Sequence, residues 1–292
     1  MVFLKIALVI LFSRYCENTK FHKVNRPLKE LQRMFEKEIE KYEQVRKEYE
    51  QKISRRMSKK AWMEYHEILF SAHSCAIEGN SFTVDDTRIL REQGMAMVPV
   101  GRSLLECAEI ADHFRALDFM TQHLSHPFDE DLLKNIHRLV MEHTIAYKAP
   151  NATAGEYTTE DMAAGDTIFG DHVQLISRVP QLMASTSKAL TEGAHPLFFA
   201  AKWHGYFEYL HPFRDGNGRT GRLMSNFILL RANHPMLIIT LSQRGEYISA
   251  LRKIRTEGTD EYLVAFFFKC SIERMEEEMK QKERNTRPML FF

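Results

Sequence analysis

The sequence predicts a helical fold interrupted once, by a short hairpin. Three observations carry this. Apolar residues recur at three- and four-residue steps through most of the 292 residues, the spacing that lines one face of a helix. Residue types that cap helices mark the boundaries, with Ser103 and Asp129 as N-cap candidates and Gly79 as a stop. Only residues 150–172 lose the pattern. There Pro150, Gly155, Gly165 and Gly170 bracket short Thr- and Met-containing pieces that can pair as a hairpin or lie as a surface loop.

Residues 1–12 are apolar apart from Lys5, too short a run for a membrane span of about 20 residues. A signal-peptide core, a short membrane anchor and an over-extended start are the readings open to it. A single Lys near its start and no small-residue cleavage site after it favour no export. The four cysteines are dispersed, with no C-x-x-C pair, which fits a reducing compartment. A cytoplasmic location is therefore expected, with anchoring or export through residues 1–12 as the alternative.

Residues 27–60 read as one long charged helix. Pro27 suits its first turn, and Leu28, Leu31, Phe35, Ile39, Tyr42, Val45, Tyr49 and Ile53 form a single apolar stripe. Such a stripe either packs on the body of the protein or serves as an arm for a partner, a homodimer included. Residues 60–79 form the next helix, with Trp62, Tyr65, Ile68, Leu69 and Ala72 inward and Gly79 ending it. Glu78 then lies in the last turn, at the negative end of the helix dipole. It is either solvated or in need of a cation from elsewhere, and Ser74 lies one turn earlier on the same face.

Helices are expected at 85–93, 103–120 and 129–143, with a loop at 94–101 and Leu132, Leu133, Ile136, Leu139 and Val140 in the core. Further helices fall at 173–191 and 259–284, and 236–241 is a short extended piece. His204 reads as a satisfied core histidine, and the His-Pro pairs at 126, 195 and 234 as turns or helix starts. The composition is 44% apolar and 27% charged, ordinary for one large or two small globular domains. A net charge of +1 gives no bulk electrostatic case for nucleic acid.

The chemistry is concentrated in His211-Pro212-Phe213-Arg214-Asp215-Gly216-Asn217-Gly218-Arg219-Thr220-Gly221-Arg222, between two apolar helical runs. Gly216, Asn217 and Gly218 can aim successive backbone N–H groups at one point, where the second helix begins. That is an anion cradle at the positive end of a dipole. Arg219 and Arg222, three apart, share a face of the first turn, where cations are disfavoured unless an anion is expected. Asp215 is an oxygen ligand suited to Mg²⁺ held through phosphate. His211 supplies an imidazole, the side chain most often used as a general base. Cradle, metal ligand, base and arginine clamp together describe phosphoryl or nucleotidyl transfer.

The same string resembles the Fic signature, H-P-F-x-D-G-N-G-R-x-x-R, with every fixed position present. The resemblance implies an all-α fold with a small β-hairpin flap, and transfer of AMP from ATP to a hydroxyl of a target protein. By position it makes His211 the base, Phe213 the anchor of the loop and Asp215 the Mg²⁺ ligand. Gly216, Asn217 and Gly218 would bind phosphates, with Arg219 and Arg222 on the distal ones. Ser74-x-x-x-Glu78-Gly79-Asn80 resembles the inhibitory motif that some Fic proteins carry before the core, whose glutamate pairs with the second arginine, here Arg222. The flap of the family falls at 150–172 and lines up an extended target segment by strand addition; Thr158, Thr159 and Met162 are its candidates here.

Tyr247 stands where the family has an aromatic near the nucleotide base, with core packing as the other reading. Arg255 stands where many members have Asn near the adenine, which leaves the choice of base open. The expected layout is an apolar segment and linker (1–24), helices with the inhibitory segment (25–84), a Fic domain (85–284) and a tail (285–292). Set beside AMP transfer are de-AMPylation, transfer of another phosphate-containing group, and a non-catalytic nucleotide-binding regulator.

Overall fold

A computed structural model describes residues 28–94, 98–164, 167–169, 171–191 and 193–286. The expectations for 1–12, Pro27, Gly165, Gly170 and residues 287–292, and the middle of the loop at 94–101, fall outside them. The described helices are α1 (Leu28–Arg33), α2 (Glu36–Lys52), α3 (Lys59–Ile77), α4 (Val84–Gln93), α5 (Leu104–Gln122), α6 (Glu130–Met141) and α7 (Ile145–Lys148). A two-stranded hairpin, β1 (Ala163–Ala164) and β2 (Thr167–Ile168), follows. Then come α8 (His172–Thr191), α9 (Pro196–Leu210), α10 (Asn217–Arg231), α11 (Arg244–Thr256) and α12 (Glu261–Thr286).

The centre is the pair α9 and α10, which pack on each other with the signature loop as their joint. Both are buried nearly all round, from Leu197 through Gly205 on α9 and from Asn217 through Leu229 on α10, apart from Gly218. A helix buried on every side must be clothed by others. Helices α5 and α6 cover one side of α10, α3 reaches it from another, and α8, α11 and α12 enclose α9. His195 caps α9, its Nδ1 accepting from the Phe198 N–H, with Pro196 at the first helical position. Capping boxes open α4 at Thr83 and α5 at Ser103, and Asp129 caps α6.

Two expectations change. The long helix over 27–60 is divided: the turn at Met34 and Phe35 closes with bonds three residues back, to Leu31 and Gln32, and α2 starts afresh at Glu36. The stripe itself holds, with Tyr42, Val45 and Tyr49 buried in the main core. This segment lies on the body, along α12. The inward face of α3 is also wider than the one expected. Ala72 is buried and Ile68 and Leu69 pack against the core, but Tyr65 is exposed, and His66, Glu67, Phe70, Ser71, Ser74 and Cys75 are buried as well. The buried face contains polar residues because each finds a partner: His66 with Tyr49 and Arg274, Glu67 with Arg91, Ser71 with His113, Ser74 with Arg222. Apolar periodicity alone misses such a face.

No helix among the described residues is long and apolar enough to cross a membrane.

Histidines that folding shields from water make stability depend on pH. Burial lowers His137, His204 and the half-buried His234 from the ordinary 6.5 to about 4. His234 Nδ1 accepts from the Tyr42 hydroxyl at 3.0 Å, tying α2 to the core. The unfolded chain takes up protons near 6.5 and the folded chain only near 4, so stability is complete above 6.5 and is lost as the pH falls toward 4. Each histidine should remove on the order of 1 kcal/mol per pH unit across that window. Urea unfolding at a series of pH values checks this, and a flat dependence between the two limits would refute it.

Candidate active site

The signature loop is built to hold an unusual backbone. His211 ends α9 in the left-handed region at φ 49°, and Gly216 repeats that conformation at φ 78°. Asn217 braces the turn between them: its Oδ1 accepts from the Phe213 N–H at 3.0 Å and its Nδ2 donates to the Phe213 carbonyl at 2.6 Å. Phe213 is fully buried and lies face to face with His137 of α6, ring centroids 3.6 Å apart. His137 is the keystone beneath the loop. Its Nε2 donates to the Asp215 carbonyl at 2.9 Å, and its Nδ1 accepts from the Gly155 N–H at 2.8 Å. One neutral imidazole thus fastens the signature loop to the start of the flap, and burial lowers it to about 4, favouring that neutral form. A Cβ on Gly216 would lie 2.8 Å from the Met141 sulfur, so the turn has no room for a side chain.

Glu78 reaches across from α3 into this loop. It caps the helix, and Gly79 at φ 99° turns the chain away. Its Oε1 accepts from Arg222 Nη2 at 2.8 Å. Arg222 also donates from Nε to the Ser74 hydroxyl at 3.0 Å and from Nη2 to the Ser74 carbonyl at 2.7 Å. Burial works against the charge of Arg222, but Glu78 and the Tyr247 hydroxyl more than offset it and hold the guanidinium charged. The carboxylate of Glu78 sits directly over Gly218, where an added Cβ would collide with it and lie 2.9 Å from Arg222 Nη1. A carboxylate therefore stands in the mouth of the anion cradle.

Ser74, Glu78 and Gly218 come together around Arg222, with Gly216 and Asn217 in the adjoining turn and Tyr247 packed in the core behind it. Tyr247 is buried, with its hydroxyl 2.7 Å from His204 Nε2 and 3.5 Å from Arg222 Nη1. His204 is thus a core histidine whose Nε2 is partnered. Arg219 departs from the expectation. It does not share a face with Arg222; it is fully buried and pairs with Glu109 of α5, with Asp215 Oδ1 at 3.3 Å. Three residues leave two side chains about 60° apart round a helix. Arginines are long enough for that angle to send one toward α5 and the other toward α3. Glu109 also accepts from Asn80 Nδ2 at 2.8 Å, so one buried carboxylate serves both strings that the sequence singled out.

The flap lies beside His211. Thr158 donates its N–H to the Pro212 carbonyl at 2.8 Å, Thr159 is exposed, and the Met162 carbonyl accepts from the Phe169 N–H at the foot of the hairpin. Phe169, which sequence reasoning did not single out, stacks on His211 with centroids 3.8 Å apart. Arg255 lies against Phe169, 4.6 Å from its ring centroid, and donates to the carbonyls of Glu208 and Tyr209. His211 Nδ1 is 3.7 Å from Glu208 Oε2. Glu208 also escaped the sequence reading, although it lies three residues before His211 on one helical face.

Fold and loop together place the chain in a class: helical proteins with a glycine-rich, arginine-flanked turn at the start of a buried helix. The family model for the Fic/DOC family matches residues 127–229. The protein adenylyltransferase Fic of Nematostella vectensis is 33% identical over 210 residues, covering 68% of this chain and 45% of that protein. Its counterpart in Drosophila melanogaster is 32% identical over 223 residues, 74% and 42% of the two chains. Fic-1 from C. elegans has the same fold, with a TM-score of 0.73 at 24% identity over 89% of this chain and 76% of that one. So does a Fic domain-containing signalling protein from Bacteroides thetaiotaomicron, with a TM-score of 0.68 at 21% identity over 82% and 97%. The chain belongs to the Fic/DOC family. It spans under half the length of the curated relatives it matches.

Proposed function

We propose that the chain is a protein adenylyltransferase that moves AMP from ATP to a Ser, Thr or Tyr hydroxyl of a target protein and is restrained by Glu78. One observation carries this: an intact base, His211, stands beside a phosphate cradle whose arginine, Arg222, is held by a carboxylate rather than by a phosphate. The relatives named above bear the same activity in their names. His211 takes the proton of the target hydroxyl as its oxygen bonds to the α-phosphorus. The bond from that phosphorus to the bridging oxygen breaks, and pyrophosphate leaves. The N–H groups at the start of α10 face the charge that develops. Arg222 holds the distal phosphate once Glu78 has left it. Arg219, turned inward, fixes the loop through Glu109 and Asp215.

Asp215 fits a hard cation. Its side chain is 36% exposed and its contacts with Arg219 and the Gly216 N–H run through Oδ1. It would hold Mg²⁺, which when bound neutralises phosphate charge. The flap would place an extended target segment, with Thr158, Thr159 and Met162 at its start and Tyr247 beneath the nucleotide. Glu78, one-third exposed above Gly218, is also placed to orient a water, the arrangement that removal of AMP from a modified target would require.

Intact-mass spectrometry of the Glu78→Gly protein with MgATP tests the reading. A gain of one AMP is expected, lost in Asp215→Ala and in chelator; full transfer in chelator would remove the metal role. A gain of one phosphate would assign a kinase instead. With no adduct on itself or on lysate proteins, and no release of AMP from modified ones, the chain would be a binding module.

A further inference from the structure

We propose that Glu208 is a positioning residue for His211, fixing which ring nitrogen carries the proton and supplying a counter-charge when the base is protonated. This rests on the transfer reading above. Glu208 lies in the last turn of α9, 11% exposed, with Oε2 facing His211 Nδ1 at 3.7 Å and Oε1 4.0 Å from His204 Nε2. Active-site contacts are often this long before substrate arrives. The space it occupies depends on Gly221 of α10, where a Cβ would lie 2.8 Å from Glu208 Oε1 and 2.8 Å from His204 Cε1. The carbonyls of Glu208 and Tyr209 are held by Arg255, so the end of α9 is fixed as well as its side chains.

A carboxylate here needs a reason. It is buried, and it stands at the negative end of a helix, where anions are disfavoured. Burial pushes Glu208 up, yet the contact with His211 and the nearby His204 and Arg222 outweigh it and hold the carboxyl below its usual range. The charged and titratable groups around the dyad are His204 of α9, Arg222 of α10, and Tyr247 and Arg255 of α11. The flap contributes Phe169, which covers the face of the imidazole. With the face covered and Nδ1 toward Glu208, the proton rests on Nδ1, and Nε2 keeps the lone pair a base needs.

The polar contacts continue past the dyad. Glu208 neighbours His204, His204 bonds Tyr247, and the Tyr247 hydroxyl approaches Arg222, which holds Glu78. Base and lock are thus ends of one buried row of polar side chains.

The test combines nitrogen-15 NMR of the His211 ring in ATP-free protein with kinetics in a Glu78→Gly background. Wild type should show Nδ1–H with a bare Nε2. In Glu208→Gln that preference should weaken, kcat should fall roughly tenfold to a hundredfold, and KM for MgATP should stay within about twofold, because only the base is disturbed. Glu208→Asp should recover part of kcat. A wild-type ring protonated on Nε2 overturns the proposal, and so does a folded Gln variant with kcat within about threefold of its parent. If Glu208→Gln does not fold, the wild-type spectrum and the Asp variant decide. If the parent transfers no AMP, the proposed function fails while the NMR result still settles the role of Glu208.

Discussion

Glu78→Gly is expected to raise AMP transfer by at least tenfold and to tighten productive binding of MgATP. The carboxylate does two things at once: it occupies the space above Gly218, and it neutralises Arg222. Breaking a fully buried ion pair costs about 3–5 kcal/mol. Glu78 is 36% exposed, so water screens part of this and the lock is weaker, roughly 1–3 kcal/mol. A factor of ten corresponds to about 1.4 kcal/mol, within that range before the steric block is added. Arg222→Ala should also open the lock yet stay inactive, because the phosphate contact goes with it, and the double variant should match Arg222→Ala. Adduct formation with labelled ATP in the three proteins gives the comparison. Wild-type rates from Glu78→Gly would show that residues 74–80 do not restrain the site.

His211→Ala should abolish transfer, by a factor of roughly a hundred to ten thousand for a lost general base, while MgATP binding stays within about threefold. The split arises because a base acts only in the transition state. His211 sits at φ 49°, a region that costs alanine about 1 kcal/mol or more, so the variant will also be somewhat less stable. His211→Asn is the control, since Asn tolerates that conformation without supplying a base. Calorimetry of ATP binding beside adduct formation separates the effects. Transfer near parent rates in either variant would remove His211 from the mechanism.

What could be read from the sequence was what lies close together in it. The loop from His211 to Arg222 is contiguous, so its turn, cradle and base were legible from residue types and order. Glu78 and Arg222 are 144 residues apart, yet each is a charge at the wrong end of a helix dipole, and the two misfits with the family motifs pointed to each other. The hairpin was legible as a break in helical spacing. Glu109 and His137 carry no such mark. Each is one polar residue among several on its helix, and its partners on the loop become visible only when α5 and α6 are laid against α10. The polar part of the buried face of α3 was missed for the same reason, since its residues are paired with other helices. The partners of Arg219, Glu109 and Asp215, were not legible because spacing gives an angle round the helix and not the neighbour that a long side chain will reach.

Asn80 and Arg219 meet on the same carboxylate, Glu109. The segment proposed to restrain the site is thereby also masonry of the site. It cannot be clipped off like an external pro-segment, since cutting before α4 would strip a hydrogen-bond partner from Glu109 and expose the buried face of α3. On the proposed restraint by Glu78, a signal that activates the protein has a small object to act on. It must turn one side chain, Glu78, off one arginine, while the helix that carries it stays docked.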